Sequence, residues 1–166
     1  MTQLVLIMGV SGSGKTTVAR LLADRWNAHF IDADDFHSLA DKQQMASGVA
    51  LNDEQRLPWL SRIIAFLNSE QVRSRRVVLA YSGLKRAHRS LFFQTPFSTH
   101  GIMLAVTKAQ VAARLESRSD HFFDKRLLDS QFVAMEPVAS SESIQTVDAS
   151  NTPESIANTI YQTIVE

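Results

Sequence analysis

Gly9-Val10-Ser11-Gly12-Ser13-Gly14-Lys15-Thr16 is the stretch on which the reading of this chain turns. It has the form G-x-x-x-x-G-K-[ST], a loop that cradles phosphates. Its glycines adopt backbone angles closed to other residues and let the main chain approach a ligand. The amides then line a concave anion site, and the helix that follows adds its positive end. Lysine at Lys15 reaches β- and γ-phosphates, and the hydroxyl of Thr16 is placed to hold a divalent cation. Gly9, Ser11, Gly12, Ser13, Gly14, Lys15, Thr16 and Thr17 are therefore the candidate nucleotide-binding residues.

The flanks agree with that reading. Residues 3–8, Gln-Leu-Val-Leu-Ile-Met, form a short apolar run with the character of a buried strand, and residues 17–26 have helical character. Strand, glycine-rich loop and helix in that order are the context the motif requires.

Further out, His29–Asp32 predicts a second strand that runs into Asp32-Ala33-Asp34-Asp35. Carboxylates at the C-terminal end of a strand stand where open α/β sheets bind ligands. If the strand continues, Asp32 and Asp34 point to opposite faces, one toward a cation and one toward an acceptor hydroxyl. The same cluster also reads as the cap of the next helix. Residues 36–48 predict a polar helix ending at Gly48. A second helix opens at Asn52 or Asp53 with Trp59, Ile63, Phe66 and Leu67 as core. The segment 36–72 lies where an acceptor-binding insert would sit.

Arg76–Ala80 predicts strand three, followed by the cationic group Lys85, Arg86, His88 and Arg89. Such a cluster past a strand end could grip a carboxylate or phosphate, or coat a solvated helix face. Strand four is predicted over 101–106 and a helix over 109–118, with Arg114 and Arg118 on one face. Residues 118–126 read as a polar lid bracketed by arginines, able to stabilise charge on a transferring phosphoryl group. His121 reads as a lid residue that packs or hydrogen-bonds, since no histidine stands at metal-ligand spacing. A helix over 127–135, strand five over 143–147 and a last helix opened by Thr152-Pro153 complete the chain. Five strands alternating with helices predict a parallel α/β sheet with right-handed crossovers.

Composition bounds the function. The 166 residues suit one domain, 1–166, and Lys plus Arg (17) balance Asp plus Glu (17). A neutral chain without an aromatic–basic stripe argues against a nucleic-acid binder or a kinase of nucleic-acid ends. Cysteine is absent, which removes disulfides and thiol chemistry and suits a reducing cytosol. No secretory leader or membrane-length apolar run is legible, so a cytoplasmic protein is expected.

With these residues in hand, the chain resembles the bacterial-type gluconate kinases, small relatives of shikimate and nucleoside-monophosphate kinases. The resemblance covers most of the chain. It rests on Met8–Thr16, Asp32-Ala-Asp-Asp-Phe-His37, Met45–Gly48, Leu51-Asn-Asp-Glu-Gln-Arg-Leu-Pro-Trp-Leu60, Ser82-Gly-Leu-Lys85 with Arg89, and the His121-Phe-Phe and Leu127-Leu-Asp-Ser-Gln-Phe132 blocks. It implies a three-layer P-loop kinase fold with helices on both faces of a five-stranded parallel sheet and a short lid. It also implies ATP with Mg²⁺ as cofactors, and transfer of a phosphoryl group to the 6-hydroxyl of D-gluconate. Carried over by position, Asp34 contacts the acceptor as base or orienter, and Asp32 with Thr16 supports Mg²⁺. Lys85 and Arg89 bind the sugar acid, with His37, Arg56 and His121 around it. Lys15 and Arg118 act on the transferring group, and Arg114 stands on the nucleotide side. Family members are often homodimers, but no dimer face is legible here.

The sequence departs from the family pattern at Ala33, Ser38, Asp41, Gln44 (usually lysine), Ala50, Tyr81 (usually cysteine), Gly83, His88 and Ser90. These positions cluster on the acceptor side. Another small sugar acid or polyol, such as a shikimate-like acceptor, is the alternative substrate class. A nucleotide-binding protein without catalysis is the alternative of a different class.

Overall fold

The strands β1 (Gln3–Met8), β2 (His29–Asp32), β3 (Val77–Tyr81), β4 (Ser98–Ala105) and β5 (Ile144–Asp148) form one sheet in the order β2-β3-β1-β4-β5, with every pair parallel. The computed structural model describes residues 2–117 and 125–166. Seven helices, α1 (Lys15–Trp26), α2 (Leu39–Ala46), α3 (Asp53–Leu67), α4 (Arg86–Phe92), α5 (Lys108–Glu116), α6 (Lys125–Ala134) and α7 (Pro153–Val165), occupy the described connections.

The central strand explains the layering. Successive side chains of a strand face opposite sides. Leu4, Leu6 and Met8 of β1 enter a core with Trp59, Leu60, Ile63 and Leu67 of α3 and Phe92 of α4. Val5 and Ile7 enter a second core with Val18, Leu22 and Trp26 of α1 and Ile156, Ile160 and Ile164 of α7. A strand covered on both faces has no use for a polar side, which is why residues 4–8 are apolar without alternation.

Strands β1 and β2 have the expected bounds, β3 and β5 are shifted by one residue, and β4 begins at Ser98 rather than Gly101. The larger correction concerns residues 33–48. The helix expected over 36–48 forms over the shorter span Leu39–Ala46. The chain makes a 3-10 turn at Ala33–Phe36 and then restarts as α2, because Ser38 and Asp41 make a reciprocal capping box that initiates a new helix. The start of α3 is set in the same way by Asn52 and Gln55, and Pro58 sits inside α3 without ending it. The final helix opens as predicted, with Thr152 accepting from the Ser155 amide and Pro153 in the first turn.

Because all strands run one way, the C-terminal ends of β1, β2 and β3 deliver Gly9–Thr16, Asp32–Asp35 and Ser82–Lys85 to a single edge of the sheet. The ends of β4 and β5 deliver Thr107 and Ala149–Asn151 beside them. No helix among the described residues is long and apolar enough to cross a membrane.

Candidate active site

The loop between β1 and α1 is tied down at its ends and open in its middle. The Gly9 amide donates to the Ser82 carbonyl (3.2 Å) and the Ser13 amide to the Val10 carbonyl (3.1 Å). A Cβ on Gly9 would stand 2.5 Å from Ser13 Oγ, so only glycine allows that closure. Gly14, at φ 90, takes the left-handed conformation and leaves nothing within 4 Å of where a Cβ would be. The amides of Gly12, Gly14, Lys15 and Thr16 have no acceptor among the described residues. Helix α1 begins at this point with no side-chain cap and no acidic residue in its first turn. An uncapped helix start and a set of unsatisfied amides are the groups an anion would satisfy.

Lys15 carries the charge for that anion. Burial pushes its ammonium down from the usual lysine range, and the nearby carboxylates of Asp34 and Asp32 oppose that shift. It has no hydrogen-bond or ion-pair partner among the described residues, so the donors of a half-buried cation are left for a ligand. These observations fit a polyphosphate bound in the loop.

Asp32 is the last residue of β2. Its Oδ1 accepts from the Asp34 amide at 3.0 Å and caps the 3-10 turn. The strand does not continue to Asp34, so the expected alternation across it does not apply. Capping and cation-holding use different lone pairs of one carboxylate, and burial raises the Asp32 pKa above the usual range. No cluster of three or more His, Cys, Asp or Glu that could cage a metal occurs among the described residues. Magnesium usually binds through one or two carboxylates, waters and substrate phosphates, and Thr16 and Asp32 fit that mode.

On one side of Lys15 opens a cavity of about 330 Å³ bordered by Asp34, His37, Lys42, Arg56, Trp59, Ser82, Ser130 and Gln131 among others. Asp34 is well exposed into it, with its side chain at 70%. His37 lies flat against the Trp59 indole, centroids 4.2 Å apart. Its Nε2 is 3.7 Å from Asp34 and its Nδ1 is 4.0 Å from Asp41. Burial lowers the His37 pKa, so the ring is neutral at neutral pH despite these carboxylates. Trp59, expected only as core, is also a wall of the cavity. Its Nε1 donates to the Ala33 carbonyl at 2.7 Å and so fixes the turn that presents Asp34. Arg56 borders the same cavity and is held by Asp53 at 2.9 Å.

Two departures from the family pattern have structural explanations. Gln44 and Gln55 pair amide to amide (2.8 and 3.2 Å), which joins α2 to the first turn of α3 without charge. Tyr81 fills the space between Trp59 and Phe92, with ring centroids 5.5 and 4.9 Å away.

On the other side of the loop is a second cleft of about 250 Å³, bordered by Gly12, Gly14, Thr17, Arg114, Asn151 and Ile156. Arg114 donates to the carbonyls of Gly12 (3.3 Å), Ser13 (3.2 Å) and Ala149. It braces the phosphate loop against the turn after β5. A cleft, a phosphate loop and a second cavity in succession match a nucleotide base, its phosphates and an acceptor.

Not every candidate reaches the site. Arg89 is fully buried, and its guanidinium is spent on Glu142 (2.8 Å from both Nε and Nη2) and on the carbonyls of Gly83 and Glu136 (2.9 Å each). It cannot also grip a sugar acid, so the expectation for Arg89 is corrected: it clamps the segment 83–84 to 136–142. Lys85 stands at the start of α4 and does not border the acceptor cavity. Arg118, His121 and most of the expected lid 118–126 lie outside the described residues. Ser82, Lys42, Ser130 and Gln131 border the cavity although sequence reasoning assigned them no role. The only prior signal for the last two was the polar pair inside the Leu127–Phe132 block.

Residues 4–138 match the model of a family described as an AAA domain. A probable gluconokinase of Dictyostelium discoideum is 38% identical over 168 residues, covering 95% of this chain and 84% of that one. The chain belongs to the gluconokinase family. Among solved structures, an unliganded sugar kinase from Janibacter superposes with a TM-score of 0.93 at 32% identity, covering 99% of this chain and 95% of that one. A gluconokinase from Sinorhizobium meliloti superposes at 0.82 with 27% identity over 98% and 95% of the two chains. The fold is thus shared over nearly all of this chain and 95% of each of these two neighbours.

Proposed function

We propose that this protein is a cytoplasmic gluconate kinase that transfers the γ-phosphoryl group of ATP to the 6-hydroxyl of D-gluconate, giving 6-phosphogluconate and ADP. The observation that carries the reading is that Lys15 and Asp34 border one cavity directly beyond an unsatisfied phosphate loop. The loop amides and Lys15 bind and orient the β- and γ-phosphates. Thr16 and Asp32 would hold Mg²⁺, which would supply neutralisation of the phosphate charge. Asp34 accepts the proton of the attacking hydroxyl or fixes its direction. His37 and Arg56 donate to the hydroxyls and carboxylate of the sugar acid. Arg118 is assigned to stabilise the charge of the transferring group, and His121 to bind the acceptor. Arg114 keeps the base cleft in register with the loop. A cysteine-free enzyme acting on ATP and a small metabolite suits the reducing cytosol.

The test is coupled ADP release with Mg-ATP against gluconate, other aldonates, shikimate and an acceptor-free blank. Turnover on gluconate well above the others is expected. Lys15→Ala is expected to abolish transfer, and Asp34→Asn to abolish transfer while keeping ATP affinity by calorimetry. Preference for a different acid refutes the substrate. Near-wild-type turnover by Asp34→Asn refutes its role.

A further inference from the structure

Helix α6 touches the phosphate loop, the wall of the acceptor cavity and the insert. Leu128 is buried against Val10 of the phosphate loop and Leu84 of the cavity wall. Asp129 pairs with Lys108 of α5 at 2.7 Å, and Arg126 donates to the Ser47 carbonyl of the insert at 3.2 Å. Just past the helix, the Glu136 amide donates to the Leu84 carbonyl at 2.7 Å. One turn along from Leu128, on the same face, Gln131 accepts from the Ser11 amide at 2.7 Å and borders the acceptor cavity.

The chemistry of that contact decides which way the amide points. Ser11 N–H is a donor, so the Gln131 atom facing it must be the oxygen, and Nε2 with its two donors is the free end. No described residue accepts from Nε2. A side chain whose oxygen is pinned by the phosphate loop and whose nitrogen has no partner among the described residues is oriented for a ligand on the cavity side.

We infer that Gln131 orients the acceptor, its Oε1 fixed on the Ser11 amide and its Nε2 donating to an oxygen of the sugar acid. The inference rests on the kinase reading above and adds a ligand to it. Gln131 also joins the two substrates, because the same amide group touches the loop that holds the phosphates and the cavity that holds the acceptor. A glutamate at this position still accepts from Ser11 but has no donor for the acceptor. A methionine keeps the length and loses both.

The experiment is steady-state turnover of Q131E and Q131M in the full chain, with gluconate and ATP varied separately and thermal unfolding recorded for each. We expect kcat/KM for gluconate to fall about tenfold or more in both variants, the scale of one hydrogen bond to a charged partner. In Q131E, which still accepts from the Ser11 amide, KM for ATP should stay within about threefold. Retention of gluconate kcat/KM within about threefold by either variant overturns the proposal. In Q131E, a loss carried by ATP, or shared equally between the substrates, gives Gln131 only a loop-shaping role and also overturns it. Gln131 is half-buried and Q131E keeps its shape, so that variant carries the test if Q131M fails to fold. Wild-type turnover on the acid panel tests the substrate reading separately. If another acid is preferred, the variants are compared on that acid.

Discussion

Replacing Arg89 with methionine separates two roles that the sequence alone cannot distinguish. The side chain is completely buried, with two 2.8 Å contacts to Glu142 and two 2.9 Å contacts to main-chain carbonyls. Removing one member of a buried ion pair costs about 3–5 kcal/mol, and here Glu142 keeps only the more distant Arg86, at 3.6 Å, as a cationic neighbour. A domain of this size loses roughly 2–4 °C of Tm per kcal/mol, so a fall of roughly 6–20 °C is expected by circular dichroism. With a total stability in the middle or upper part of the usual range of about 5–15 kcal/mol the variant stays folded at 25 °C. At that temperature KM for gluconate should change little, because Arg89 does not border the cavity. The double variant R89M/E142M should recover at least half the lost stability, since an apolar pair carries no stranded charge. A variant with unchanged Tm and a tenfold higher KM for gluconate would refute the clamp and restore Arg89 as a ligand.

Glu142 gives a pH-dependent counterpart. Hydrogen bonds from Arg89 hold its carboxyl below the usual glutamate range. Its contribution to stability is therefore complete above about pH 4.3 and is lost as pH falls through the lower folded-state value. Urea midpoints of E142Q should show a shallower acid-side decline than the wild type. Trp59→Phe removes the hydrogen bond to Ala33 and should cost about 1 kcal/mol and roughly 2–4 °C of Tm, with KM for gluconate rising more than KM for ATP. Arg114→Met frees the phosphate loop from the turn after β5. Its KM for ATP should rise about tenfold while that for gluconate changes less than about twofold, and the reverse pattern would contradict the bracing role.

What the sequence disclosed and what it withheld divide along a physical line. The phosphate loop was legible because its chemistry is local: eight consecutive residues supply the glycines, the amides, the lysine and the hydroxyl. The parallel sheet was legible because strands buried on both faces must be apolar throughout. Asp34 was recognisable by its place after a strand, but its presentation depends on a 3-10 turn pinned by Trp59, 26 residues away in sequence. Arg89 misled for the same reason. A lone cationic cluster looks solvated or ligand-bound until its partner is known, and that partner, Glu142, lies 53 residues downstream. Gln131 lies 120 residues from the amide that orients it. Burial and long-range pairing are properties of the packed chain, and local spacing does not carry them.

The contact between His37 and Trp59 makes the acceptor cavity observable by light. The chain has two tryptophans, and they sit in opposite layers, Trp26 in the core beside α7 and Trp59 at the cavity wall. An indole stacked on an imidazole has an emission sensitive to whatever displaces or polarises that ring. With Trp26 replaced by phenylalanine, the intrinsic fluorescence of the protein becomes the signal of one residue at the acceptor pocket. A sugar acid should shift it and a nucleotide alone should leave it nearly still, so the order in which the two substrates arrive can be followed in a stopped-flow cuvette without any label.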